Sequence, residues 1–118
     1  MTEIGDGAFN GCGNLTNFKL PSNLETLGAY AFSGCANAFT SIIIPDKITI
    51  LPHAVFSYCT GLTEIMFPEK LKKIDTYALS GCNQLTSIIV PKSVEIIGYG
   101  AFSGCTSLES IELHFIGE

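Results

Sequence analysis

Apolar and polar positions along this chain follow one template again and again. In the last complete copy the template reads Leu85-Thr86-Ser87-Ile88-Ile89-Val90-Pro91, then Val94 and Ile97-Gly98, then Ala101-Phe102-Ser103-Gly104-Cys105. Written generally it is LxxIxφPxxφxxIGxxAFxxCxx, with φ apolar. Each copy predicts a short strand, such as Thr86 to Val90, rich in β-branched residues and closed by a proline that cannot donate to a ladder. A second extended piece, Ser93 to Ile97, follows. Gly98-Tyr99-Gly100 then turns the chain into the Ala-Phe element, expected as a tight loop or a single helical turn. Gly5 and Gly28 hold the same turn slot, which Pro52 and Asp75 occupy in other copies.

Three residue types keep the same period. Cysteines stand at 12, 35, 59, 82 and 105, and prolines at 21, 45, 68 and 91. Phenylalanines at 9, 32, 56 and 102 follow the cysteines, with Leu79 in the vacant slot. The spacing is 23 residues, with one extra residue between Cys35 and Phe39. Copies run from Ile4 to Leu113, so residues 1–118 are expected to form one repeat domain of about 4.5 units. One coil buries too little to stand alone, so like strands should stack in parallel at about 4.8 Å.

The combination of AFxxC, LxxIxφP and the period resembles the BspA-like leucine-rich repeats. Ala8-Phe9…Cys12, Ala31-Phe32…Cys35 and Ala101-Phe102…Cys105 carry the element outright, and Val55-Phe56…Cys59 and Ala78-Leu79…Cys82 are variants. The resemblance implies an α/β-type repeat solenoid: a right-handed coil with a parallel β-sheet, mostly strand and loop with little helix. It also implies a non-enzymatic protein-binding or adhesion module of a secreted or cell-surface protein, directed at host matrix proteins or other cells. The alternative is an intracellular scaffold or partial array that self-associates.

Composition narrows the partners. The chain has 118 residues, 47% hydrophobic and only 14% charged, so it must bury a core rather than stay solvated. Six Lys and Arg against eleven Asp and Glu leave no footprint for nucleic acid. Apolar runs such as Ile42-Ile43-Ile44 are far too short for membrane insertion. Met1 to Asp6 has neither the basic start nor the apolar core of a signal peptide. The chain opens inside a unit at Ile4 and closes just after a strand, with His114 in the proline slot. Neither end carries an obvious polar cap, so the chain is expected to be an uncapped fragment or to form a homo-oligomer through its bare ends or an apolar strand face.

Candidate chemistry is sparse. No two cysteines lie close enough in sequence for a metal motif, and their even spacing predicts a reduced, buried ladder of small apolar side chains. His53 and Ser57 invite a base and nucleophile reading, but both occupy repeat columns: Ala29, Thr76 and Tyr99 for the first, Ser33, Ser80 and Ser103 for the second. No enzyme activity and no cofactor are expected. The Asn14-Leu15-Thr16 sequon carries little information by itself.

Strand alternation gives the sharper expectation. Residues four and two before each proline should face outward. The first outward column is Asn17, Ser41, Glu64, Ser87 and Ser110; the second is Lys19, Ile43, Met66, Ile89 and Glu112. Ile43, Met66 and Ile89 therefore form an exposed apolar stripe, the kind of surface that marks a contact. The predicted partner-binding residues are these three with Lys19, Glu64 and Glu112.

Overall fold

A computed structural model describes residues 2–113. His114 in the last proline slot lies outside the described residues. The chain winds through five turns counted by its cysteines, with short parallel strands and no helix among the described residues.

Two strand columns run along the coil. The LxxIxφP segments form β3 (Ser41–Ile43), β5 (Glu64–Met66), β7 (Ser87–Val90) and β9 (Ser110–Leu113). The second extended pieces form β1 (Glu3–Ile4), β2 (Thr26–Leu27), β4 (Ile50–Leu51), β6 (Lys73–Ile74) and β8 (Ile96–Ile97). Pairing is parallel and one coil apart: β3 with β5, β7 with β9, β1 with β2, and β4 with β6 with β8. The strand column parts between β5 and β7, where Thr86 N–H reaches Thr63 C=O at 3.4 Å without a ladder.

The first coil departs from the expected strand. Asn17 sits in the left-handed region at φ 52, so residues around Lys19 do not extend into a ladder. Its neighbour supplies the cause: the extra residue between Cys35 and Phe39 shifts the facing carbonyls, and Phe18 N–H bonds to Ala38 C=O at 2.9 Å. Phe18 then packs with Phe9, Phe32 and Phe39 at centroid distances of 5.4, 5.3 and 6.1 Å. An aromatic cluster replaces strand pairing at this junction.

The Ala-Phe segment is a run of stacked turns. Within the second coil, N–H groups of Ala31, Ser33 and Cys35 bond to Gly28, Tyr30 and Phe32, three residues back. The alternate N–H groups, of Tyr30, Phe32 and Gly34, donate to His53, Val55 and Ser57 of the next coil at 3.0, 2.9 and 2.8 Å. The same three-bond seam joins the first four coils each to the next. Both outer donors of every seam have positive φ, as at Gly7 and Gly11 or at Tyr30 and Gly34. Left-handed backbone is costly for residues with a Cβ, yet Tyr30, Ala54, Tyr58 and Tyr77 adopt it because the stack demands it.

Inward columns meet in one core. Phe9, Phe32 and Phe56 stack at 5.2 and 5.7 Å with nearly parallel rings, and Leu79 continues their column. Cys35, Cys59 and Cys82 have no exposed surface, and all five cysteines are unpaired thiols. They do more than fill space. Four of the thiols donate to the carbonyl of the aromatic slot one coil back: Cys35 to Phe9, Cys59 to Phe32, Cys82 to Phe56 and Cys105 to Leu79, at 2.9–3.3 Å. Those carbonyls also accept the N–H of their own coil's cysteine, so both lone pairs are used.

Candidate partner-binding face

The strand column presents its residues as alternation requires. Ile42, Ile65 and Ile88 are buried at 3, 6 and 1% exposure, while Ile43, Met66 and Ile89 between them stand 70, 58 and 58% exposed. Ile43 pairs with Met66 in register, and Ile89 pairs with Glu112. Ser41, Glu64 and Ser87 form the polar column alongside. Lys19 is exposed but lies beside the ladder rather than on it, because the first coil has no strand there.

Two hollows open where strand pairing fails. Between the first and second coils, a cleft of about 400 Å³ is lined by Phe18, Lys19, Phe39 and Ile43. Where β5 and β7 part, a hollow of about 630 Å³ is lined by Met66, Phe67, Ile89 and Pro91, with Glu69 and Lys92 at its edge. The stripe therefore has a cleft at its Ile43 end and an apolar hollow between Met66 and Ile89, and five of the six expected contact residues lie on one strand column.

Chemistry elsewhere is limited. Burial pushes the Cys82 thiol up to about 12 and raises those of Cys35, Cys59 and Cys105. A buried, protonated thiol is a poor nucleophile and a poor metal ligand. Among the described residues, no three His, Cys, Asp or Glu side chains gather as metal ligands. His53 Nε2 meets Tyr30 Oη at 2.9 Å, whereas Ser57 Oγ meets Ser33 Oγ at 2.7 Å and Ala54 C=O at 3.2 Å. The histidine and the serine are each engaged with another partner. Backbone N–H of Thr76 donates to Asp75 at 2.7 Å and holds that carboxyl below its ordinary range, with Lys73 assisting.

Sequence reasoning missed an aromatic row on the turn segments. Tyr30, His53, Tyr77 and Tyr99 follow one another at 5.1, 6.0 and 5.7 Å, and Tyr58 stands beside them. Tyrosine alternates with glycine and alanine within each repeat column, so no column reads as aromatic. The usable signal was that four tyrosines all fall in the turn segment.

A coil of short parallel strands, consensus turns and an apolar ladder core defines a leucine-rich-repeat solenoid. The model of the BspA type leucine rich repeat region matches residues 1–114 in six copies, and the chain belongs to that family. Among solved structures, a leucine-rich repeat protein from Bacteroides ovatus is 33% identical with a TM-score of 0.89, over 95% of this chain and 29% of its own. A leucine rich cell surface protein from Faecalibacterium prausnitzii is 30% identical with a TM-score of 0.92, over 98% of this chain and 30% of its own. The leucine rich repeat protein of T. pallidum is 36% identical with a TM-score of 0.88, over 94% of this chain and 51% of its own. The chain thus spans between about a third and a half of these proteins. No curated protein sequence matches it.

Proposed function

We propose that this chain is a non-enzymatic protein-binding module of a cell-surface protein, contacting its partner through the outward face of the LxxIxφP strands. The observation that carries the reading is the row of Ile43, Met66 and Ile89, more than half exposed on successive strands. Isolated apolar residues on a surface need no explanation, but an ordered row with apolar hollows opening beside it does. Glu64 and Glu112 on the strands and Lys19 beside them supply a polar rim, the usual anatomy of a contact patch. The surface setting is supported by the description of the F. prausnitzii relative. Adhesion to host matrix proteins is the partner class in keeping with the family.

The test compares the wild-type chain with the triple variant Ile43→Ser, Met66→Ser, Ile89→Ser by surface plasmon resonance on immobilised matrix proteins. Binding by the wild type alone, with unchanged circular dichroism, supports the reading. Equal binding by both removes the stripe from it. Concentration-dependent mass in sedimentation that the triple variant abolishes would make a second copy of the chain the partner.

A further inference from the structure

We infer that the aromatic row on the turn segments is a binding groove for a neutral saccharide, separate from the strand face. Tyr30, Tyr58 and Tyr77 wall a cavity of about 430 Å³ whose floor is the serine column. Apart from His53, whose Nε2 is engaged with Tyr30, no acidic or basic side chain lines it, so no carboxylate selects an ammonium group there and no lysine or arginine selects a phosphate. What the groove offers is ring faces and ring edges, set edge to face along the row, beside serine hydroxyls. Sugars present the complement, apolar C–H faces bounded by hydroxyls.

The hydroxyl inventory points the same way. Ser33 and Ser57 satisfy each other. Ser80 is 8% exposed and lines the cavity, and its hydroxyl makes no hydrogen bond to another described residue. The hydroxyl is thus open to the cavity and available to whatever enters it. Ser103 continues the column with a free, exposed hydroxyl.

The rings are placed at some cost. Tyr58 and Tyr77 hold φ of 58° each, a conformation in which glycine serves their columns elsewhere. Their rings lie over Gly81 and Gly100 of the next coil, where a Cβ would meet the Tyr58 ring at 2.5 Å and the Tyr77 ring at 2.6 Å. Glycine on the next coil thus lets each ring lie across the stack. Tyr99 extends the row at 79% exposure. Steps of 5.1, 6.0 and 5.7 Å along the row are close to the length of a single pyranose unit, so an extended glycan running along the coil would meet an aromatic group at each sugar.

The experiment titrates the chain with neutral hexasaccharides (cellohexaose, chitohexaose, maltohexaose and mannohexaose) and follows backbone amide NMR shifts. At least one sugar should bind with Kd of about 0.1–1 mM, moving the amides of Tyr58, Tyr77 and Ser80. Tyr58→Gly, which suits the left-handed backbone, and Ser80→Ala should each weaken that binding about tenfold. Tyr99→Ala, far from the core, should weaken it in a chain whose fold is undisturbed. The strand-face triple variant should bind the sugar as the wild type does. Silence across the panel at about 10 mM sugar, full binding by Tyr99→Ala and Ser80→Ala, or tetramethylammonium occupying the groove in place of every sugar overturns the inference.

Discussion

Raising the pH should unfold this protein through its cysteine column. Cys59 and Cys82 are fully buried and donate their thiol hydrogens to Phe32 and Phe56 carbonyls at 3.3 and 3.1 Å. Ionising either would place a thiolate against a carbonyl oxygen in an apolar core, so burial keeps both protonated, Cys82 up to about 12. In the unfolded chain the same thiols ionise near the ordinary value of about 8.5. The folded pKa lies above the unfolded one. The stabilisation is therefore complete below about pH 8.5, and is lost as pH rises towards the folded value. Each thiol costs about 1.4 kcal/mol per pH unit in that window. For two thiols, one unit above 8.5, the loss is about 3 kcal/mol, a sizeable part of the roughly 5–15 kcal/mol that holds a domain together.

The assay is urea unfolding in reducing buffer at about pH 7.5 and 9.5, where the midpoint should fall by about 1–3 M. Tyrosine and lysine also begin to titrate there, so the control is the variant Cys59→Ala, Cys82→Ala. At neutral pH that variant should be weaker by about 1–2 kcal/mol per site, from the lost sulfur volume and hydrogen bond. Its alkaline loss should be smaller than the wild type's by about 3 kcal/mol. Parallel losses in the two proteins would refute the claim that these thiols stay protonated in the folded core.

Three further outcomes test other columns. Gly98→Ala should cost about 1–3 kcal/mol in thermal melts, because its Cβ would sit 2.5 Å from Thr76 N; Gly28→Ala, whose Cβ would meet the Asp6 backbone, should behave alike, and Gly13→Ala, with open space around it, should not. Phe56→Ala should lose about 3–5 kcal/mol in urea unfolding, while Phe56→Leu, which copies Leu79 of the next coil, should lose far less. Asp75→Asn should destabilise at neutral pH in urea unfolding, and the difference from wild type should shrink as pH falls through the lowered pKa of the carboxyl, since the carboxylate is stabilised by Thr76 N–H only while it is ionised.

Much of the fold was legible because inward columns repeat their chemistry. Alternation before each proline placed Ile43, Met66 and Ile89 outside and Ile42, Ile65 and Ile88 inside, as the exposures confirm. Failure came where one coil's geometry depends on its neighbour's. Lys19 was expected on a strand, but the residue inserted one coil later moved its hydrogen-bond partners, and Asn17 turned left-handed. A pattern read along the chain carries no account of the facing chain. The cysteines were legible as small buried side chains, whereas their donation to carbonyls one coil back is visible only once the stack exists.

The tyrosines carry the same point into function. In a solenoid the core fixes inward columns and leaves the outward ones to vary, so binding chemistry accumulates in the least regular positions. At the two left-handed donors of each seam the backbone favours glycine, and glycine fills half of those slots, at Gly7, Gly11, Gly34 and Gly81. A tyrosine there opposes local preference by about 1–2 kcal/mol, and three such departures, at Tyr30, Tyr58 and Tyr77, converge on one cavity. Packing alone does not call for them, since Gly7, Gly34 and Gly100 serve the same backbone role without a ring. Local strain repeated towards a common space is better explained by what occupies that space than by the stability of the coil. Replacing Tyr58 by Gly should therefore leave the coil as stable as before, or more so, while emptying the groove of a ring; a large loss of stability would return the tyrosines to the core's own needs.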